Sequence, residues 1–273
     1  MISVILTAYN RREYLKYALD SLKIQSVKNF EIVLITNFNF NLEGYKDLNI
    51  RQIIINGSIG EFIYHGVMES HGDILVFMDD DDTFTQNKME YINDIFKNES
   101  IGYFHNYAFF MNSKRRFFLP PDFNSSCISI RKNILIPYMK YLNELITGPD
   151  SFLYLCALSS KYKSLNKRVY LTYYNDHKNS ASDIKNDKTW LLKDLNALQY
   201  MKSFFNSDKS LKYLNKLILG IRIKLYLFYG EKFDRGARSS FFQFIEIWLY
   251  FFYTYGILDK KLKLMLKKFL MQF

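Results

Sequence analysis

Through the first hundred residues, short apolar runs alternate with stretches whose apolar positions recur every three or four residues. Residues 2–7 read as a buried strand, closed by a turn at Ala8, Tyr9 and Asn10. Over 11–24, Tyr14, Leu15, Ala18, Leu19 and Leu22 fall on one face of a helix. Residues 31–36 and 51–55 predict two further strands, and 60–70 a helix stopped by His71 and Gly72. A fourth strand over 74–78 runs straight into four consecutive aspartates, and 86–97 is again helical. This βαβ rhythm predicts an α/β fold with a mixed, mostly parallel sheet flanked by helices. After residue 100 the pattern changes. Residues 101–111 and 115–119 predict β segments, with a hairpin about Asn112 and Ser113 as one arrangement. A strand over 126–130, a helix over 151–158 and extended chain over 163–173 follow, and from Trp190 onward nearly everything reads as amphipathic helix.

Composition supports a packed core, since 49% of the 273 residues are hydrophobic while Gly and Pro are scarce. Two cysteines, Cys127 and Cys156, make neither a disulfide framework nor a zinc site, and a reducing compartment is expected. The N-terminus lacks the basic leader and cleavage pattern of a signal peptide. Charge divides the chain. Residues 1–184 are balanced, whereas 185–273 carry 17 Lys and Arg against 7 Asp and Glu, which accounts for the net +10. Two parts are therefore expected, a domain over 1–183 and a basic, aromatic-rich helical region over 184–273.

The acidic run is where chemistry is expected. Like charges repel, so four adjacent aspartates are a costly structural device, and in open α/β sheets ligands bind outside the carboxyl ends of strands. Asp79, Asp80, Asp81 and Asp82 project from such an end. Mg²⁺ or Mn²⁺ takes oxygen ligands, often one or two carboxylates completed by phosphate oxygens. The alternative is a solvated acidic turn capping the helix that begins near Gln86.

Several segments together resemble family 2 glycosyltransferases of the GT-A fold. They are residues 3–11, Tyr14-Leu15, Ala18-Leu19, Ser21-Leu22, Gln25-Ser26 and 30–33, then Gly66, Gly72-Asp73-Ile74 and 77–82, which match that family's opening and its DxD-type motif. The resemblance is good over 2–98, patchy to about 183 and absent beyond. It implies a nucleoside-diphosphate sugar as donor. Thr7, Ala8 and Tyr9 would line the nucleoside pocket, with Asp79 near the ribose and metal, Asp80 beside the bound nucleotide and Asp81 as principal metal ligand. It also implies a single displacement with inversion at the anomeric carbon and one general base. Asp150, after Gly148-Pro149 at the start of a helix, is the candidate base, with helix capping as the alternative. His177 matches a stretch near the pyrophosphate and would contact metal or phosphate, unless it sits in an ordinary surface loop. His65, His71 and His105 show no ligand spacing.

Two positions depart from the family pattern. Where the second strand normally ends in an aspartate pair touching the base, this chain has Thr36 and Asn37, which would take that contact without charge. The family's Ala-Arg-Asn stretch is here Phe62-Ile63-Tyr64, so a cationic contact is missing. These departures keep open a second reading, a degenerate module that binds nucleotide sugar or only scaffolds.

In the tail, 241–258 is nearly long enough to span a bilayer but is interrupted by Gln243 and Glu246. With Lys260, Lys261, Lys263, Lys267 and Lys268 beyond it, the tail reads as a peripheral contact with anionic lipid, at a cytoplasmic membrane face. Packing of the tail on the first domain or on a partner is the alternative. A glycan or lipid-linked acceptor is expected by analogy. Nucleic-acid binding is not expected, since no recognised motif accompanies the basic charge.

Overall fold

In a computed structural model, residues 1–111, 119–175 and 187–231 are described. The first part runs β1 (Ile2–Ala8), α1 (Arg12–Lys23), β2 (Phe30–Thr36), β3 (Ile50–Ile54), α2 (Ile59–Glu69), β4 (Ile74–Asp79), β5 (Thr83–Phe84) and α3 (Lys88–Phe96). It continues through β6 (Ile101–Phe110), β7 (Ile128–Arg131), α4 (Lys132–Leu135), α5 (Met139–Leu142), α6 (Pro149–Leu158), β8 (Lys163–Tyr174), α7 (Lys188–Lys202) and α8 (Asp208–Tyr229). The strands join in one sheet in the order β3-β2-β1-β4-β7-β6-β8-β5. β3, β2, β1 and β4 are mutually parallel, β7 is antiparallel to both β4 and β6, and β8 is parallel to β6.

The continuous apolar runs of β1, β2 and β4 are explained by cover on both faces, as parallel strands require. Val4, Leu6, Leu34, Val76 and Met78 face one core with Leu15, Leu19 and Leu22 of α1 and Met89 and Ile92 of α3. Ile5, Leu75 and Phe77 face a second core with Ile63 and Val67 of α2 and Phe152, Leu153 and Leu155 of α6. Each such fully buried side chain contributes about 1.5–3 kcal/mol relative to exposure. α2 starts at a capping box in which Ser58 and Glu61 satisfy each other's backbone N–H groups. It lies close on β1 because Gly66 has no Cβ, which would sit 2.4 Å from Ile5 Cγ2.

Leu198 and Met201 of α7, Phe205, and Leu214 and Ile218 of α8 belong to the same core as Ile5 and Leu75. Part of the apolar face of each of α7 and α8 is thus packed against the sheet domain. No helix among the described residues is long and apolar enough to cross a membrane. The stretch 241–258 and the lysines after it lie outside the described residues, as do 112–118 of the expected hairpin.

One element was not expected. The acidic run leads into β5, two residues long, which pairs with β8 at the far edge of the sheet. Four residue steps separate Asp79 from Thr83, a reach of about 14 Å. On a flat sheet β4 and β5 would be four strand spacings apart, about 19 Å. The sheet must therefore curl, and the acidic run sits inside the curl.

Candidate active site

The chain visits β2 and β3 on one side of β1 and then crosses to β4 on the other, so the crevice between the carboxyl ends of β1 and β4 is the topological switch point. Register brings the expected residues together there. Thr7 lies opposite both Ile35 and Asp79, and Ala8 lies opposite Thr36. Beyond β1 the backbone turns through Asn10 at φ 58°, a left-handed conformation that Asn tolerates. The turn is fixed by a reciprocal pair: the Asn10 N–H donates to Asn37 Oδ1 (2.9 Å) and the Asn37 amide donates to Asn10 Oδ1 (2.6 Å). Tyr9 is exposed at the mouth, its ring edge-on to Phe62 at 5.9 Å.

Asp79 is held by the segment before β7. Its N–H donates to Ser126 Oγ (2.9 Å), while Ser125 donates to Oδ1 (2.7 Å) and Asn124 to Oδ2 (3.3 Å). Burial, with the charge of Asp81 added, pushes the Asp79 carboxyl up to about 6 against the pull of Ser125 and Arg11. Asp82 is 1% exposed; Oδ1 accepts the Asn175 N–H (3.1 Å), but Oδ2 is buried with no hydrogen-bond partner. Burial and the charges of Asp81 and Asp79 hold its carboxyl well above the usual range. Oxygens of Asp79, Asp81 and Asp82 lie within 4.8 Å of one another. Three convergent carboxylates with one orphaned buried oxygen fit a hard divalent cation.

Asp80 is not part of that trio. Its side chain is enclosed and bonded by Arg11 through Nε (3.2 Å) and Nη2, while Arg11 Nη1 reaches Asp81 Oδ2 at 2.6 Å. Burial pushes Asp80 up to about 8, with Arg11 opposing and the neighbouring aspartates adding. Thr36 is also enclosed: its hydroxyl donates to Phe38 O (2.6 Å) and accepts from Gln52 Nε2 (2.8 Å). At that strand end Asn37 is the more exposed of the two residues expected at the base.

Beneath the acidic run lies Lys88, fully buried at the start of α3. Its ammonium donates to Ser126 O (2.5 Å) and Thr172 Oγ1 (2.8 Å) and stands 3.5 Å from the centre of the Phe84 ring. Burial pulls it down to about 7. Lys88 thereby fixes the segment that presents Ser125 and Asn124 to Asp79. Asp150 occupies the first turn of α6, behind an N-cap Gly148 at φ 72° that has no side chain to cap the helix. Asp150 is half-buried, and Phe152 and Leu153 of the same helix pack in one core with Tyr103 of β6 and Ile128 of β7. His177 lies outside the described residues. The other histidines have structural settings. His71 pairs with Glu31 (2.9 Å), His65 stacks edge-on against Tyr64, and burial pulls His105 down to about 3.

Arg11, Lys88 and the supports at 124–126 carried no role in the sequence pattern. Arg11 was visible only as the first residue of the helix expected over 11–24 and the last of the matching segment 3–11, and a polar Asn-Ser-Ser run beside a buried strand was the one hint of the supports.

A curled, mostly parallel sheet with an acidic run at its switch point defines a GT-A fold. Most of the chain superposes on solved proteins of that class. One is S. aureus TarS residues 1–349 in complex with UDP-GlcNAc (TM-score 0.61, 14% identity, 91% of this chain and 78% of that one). Another is the mannosyltransferase PcManGT from Pyrobaculum calidifontis in complex with GDP-Man and Mn²⁺ (TM-score 0.55, 12% identity, 87% and 77%). At these identities the likeness is one of fold. Residues 3–162 match the family described as Glycosyl transferase family 2, more than half of the chain, and the protein belongs to that family. Curated relatives are an uncharacterized glycosyltransferase of Rickettsia typhi (24% identical over 157 residues, 54% of this chain and 48% of that one) and one of Rickettsia conorii (26% over 108 residues, 35% and 17%). The alignments thus span about half of the first relative and less of the second.

Proposed function

We propose that the protein is an inverting, metal-dependent glycosyltransferase that moves a hexosyl group from a nucleoside-diphosphate sugar to a glycan or lipid-linked acceptor. The observation that carries this reading is the trio Asp79, Asp81 and Asp82 at the switch point, with Asp82 Oδ2 buried and unpartnered. These residues would hold Mn²⁺ or Mg²⁺, and such a cation would neutralise the diphosphate and improve it as a leaving group. Thr7, Ala8, Tyr9 and Asn37, at the carboxyl ends of β1 and β2, would line the nucleoside side of the crevice. Asp150 would accept the proton of the acceptor hydroxyl as its oxygen bonds to the anomeric carbon and the bond from that carbon to the phosphate oxygen breaks. Its place in the first turn of α6, behind a glycine that offers no capping side chain, is one where the helix dipole favours negative charge. His177 would add a contact to phosphate or metal. The basic tail would bring the enzyme to a cytoplasmic membrane face where a lipid-linked acceptor is displayed.

A second reading, a module that binds nucleotide sugar without turnover, is favoured by the inward-tied hydroxyl of Thr36. One experiment separates the two. Purified protein with Mn²⁺ is offered uridine, guanosine and thymidine diphosphate sugars, and both thermal stabilisation and release of nucleoside diphosphate are read. Stabilisation and slow release with one donor, both lost in Asp81→Ala, are expected. Stabilisation without release, with or without acceptor glycans, would favour the binding module, and no response to any donor would overturn both.

A further inference from the structure

Arg11 leaves the end of β1 and reaches across the crevice to the β4 side. Two of its nitrogens are taken by Asp80, whose carboxylate is 0% exposed, and the third contact falls on Asp81, a member of the metal-capable trio. Asp80 therefore anchors the guanidinium: Arg11 cannot swing into solvent without leaving a buried carboxylate unpaired. Asp81 in this arrangement has Oδ2 occupied and much of its charge neutralised, and a dication bound by its other oxygen would stand close to a fixed positive charge.

We propose that Arg11 is a resident counter-ion of the acidic run that competes with the divalent cation for Asp81, so that metal binding requires the Nη1 contact to be given up. The proposal rests on the reading of Asp79, Asp81 and Asp82 as metal ligands. It also accounts for the cation missing at 62–64. The positive charge enters from the turn after β1 instead, anchored on Asp80, and a donor diphosphate arriving with the metal is the natural new partner for the released N–H group.

The test is Mn²⁺ binding to the full chain without nucleotide, by calorimetry or electron paramagnetic resonance. The informative variant is Arg11→Gln combined with Asp80→Asn. It removes the pair together, so neither buried partner is left without the other. Mn²⁺ is expected to bind this variant about tenfold more tightly than wild type, the worth of one charge-assisted hydrogen bond. Adding Asp81→Ala is expected to remove the gain. A merely structural Arg11 predicts the opposite, since a loosened site binds metal more weakly. Arg11→Lys, whose single ammonium cannot span both carboxylates, is expected to shift affinity in the same direction and decides the matter if the double variant does not fold. Wild-type or weaker Mn²⁺ affinity in the variants, with Mn²⁺ bound by wild type, overturns the competition alone. No Mn²⁺ binding by any form overturns the metal reading and this one with it.

Discussion

Replacing Lys88 by Met tests what a buried charge costs this fold. The ammonium is fully enclosed, and its descent from 10.5 to about 7 corresponds to about 5 kcal/mol against the charged form. Met keeps the straight chain against Phe84 and removes the charge. What is lost is two hydrogen bonds, to Ser126 O and Thr172 Oγ1. Neither partner is orphaned, because Thr172 still donates to Ser126 O (2.9 Å) and still accepts from Asn106 (3.0 Å). With each bond worth about 1–1.5 kcal/mol net, Lys88→Met is expected to be about 1–3 kcal/mol more stable than wild type at pH 6. The gain has a pH signature. Between about 7 and 10.5 an unfolded lysine holds a proton that Lys88 has lost, so wild-type stability rises with pH across that window and the advantage of Met shrinks. Urea denaturation at pH 6 and pH 9 reads both effects. Destabilisation by 2 kcal/mol or more at pH 6, or an advantage that does not shrink at pH 9, would refute the reasoning and make the ammonium a net stabilising hub. Donor affinity is expected to fall in the same variant, since the segment that supports Asp79 loses its tether.

Asp79 carries the opposite pH dependence. Its carboxyl is raised from 3.8 to about 6, so in that interval the folded protein keeps a proton the unfolded chain has shed, and stability falls as pH rises through it. Asp79→Asn is expected to flatten that part of the melting-temperature profile between pH 4 and 6.5, and an unchanged slope would place the proton elsewhere. Thr36→Val removes a buried hydroxyl with two hydrogen bonds and is expected to cost about 1–2 kcal/mol in denaturant unfolding while leaving donor-induced thermal shifts intact. Loss of donor response with unchanged stability would instead restore Thr36 to the base-binding role.

Much of the site was legible because its residues are contiguous or end strands of plain pattern. The run Val76-Phe77-Met78 followed by four aspartates announces a buried strand that delivers carboxylates to a sheet edge. What could not be read was which carboxylate faces which partner. Periodicity gives no orientation for residues in a loop, and Asp80 and Asp81 differ by one position yet meet different surroundings. Arg11 and Ser125 are 69 and 46 residues from the aspartates they bond, distances over which no local pattern operates, and Lys88 acts on Asp79 only through the distant segment 124–126.

The amino-acid sequence by itself determined the succession of strands and helices, the parallel half of the sheet and the acidic strand end, because these follow from local spacing of apolar residues and from what a buried strand must do at its terminus. Tertiary structure alone decided the rest. The crossover from β3 to β4 made a crevice beside β1, and the short reach from Asp79 to Thr83 curled the sheet around the acidic run. Burial then separated four chemically identical side chains into one enclosed anchor for Arg11 and a trio with an unsatisfied oxygen. Solvation and charge partners, not residue type, give each aspartate its role, and both are fixed only when distant segments pack.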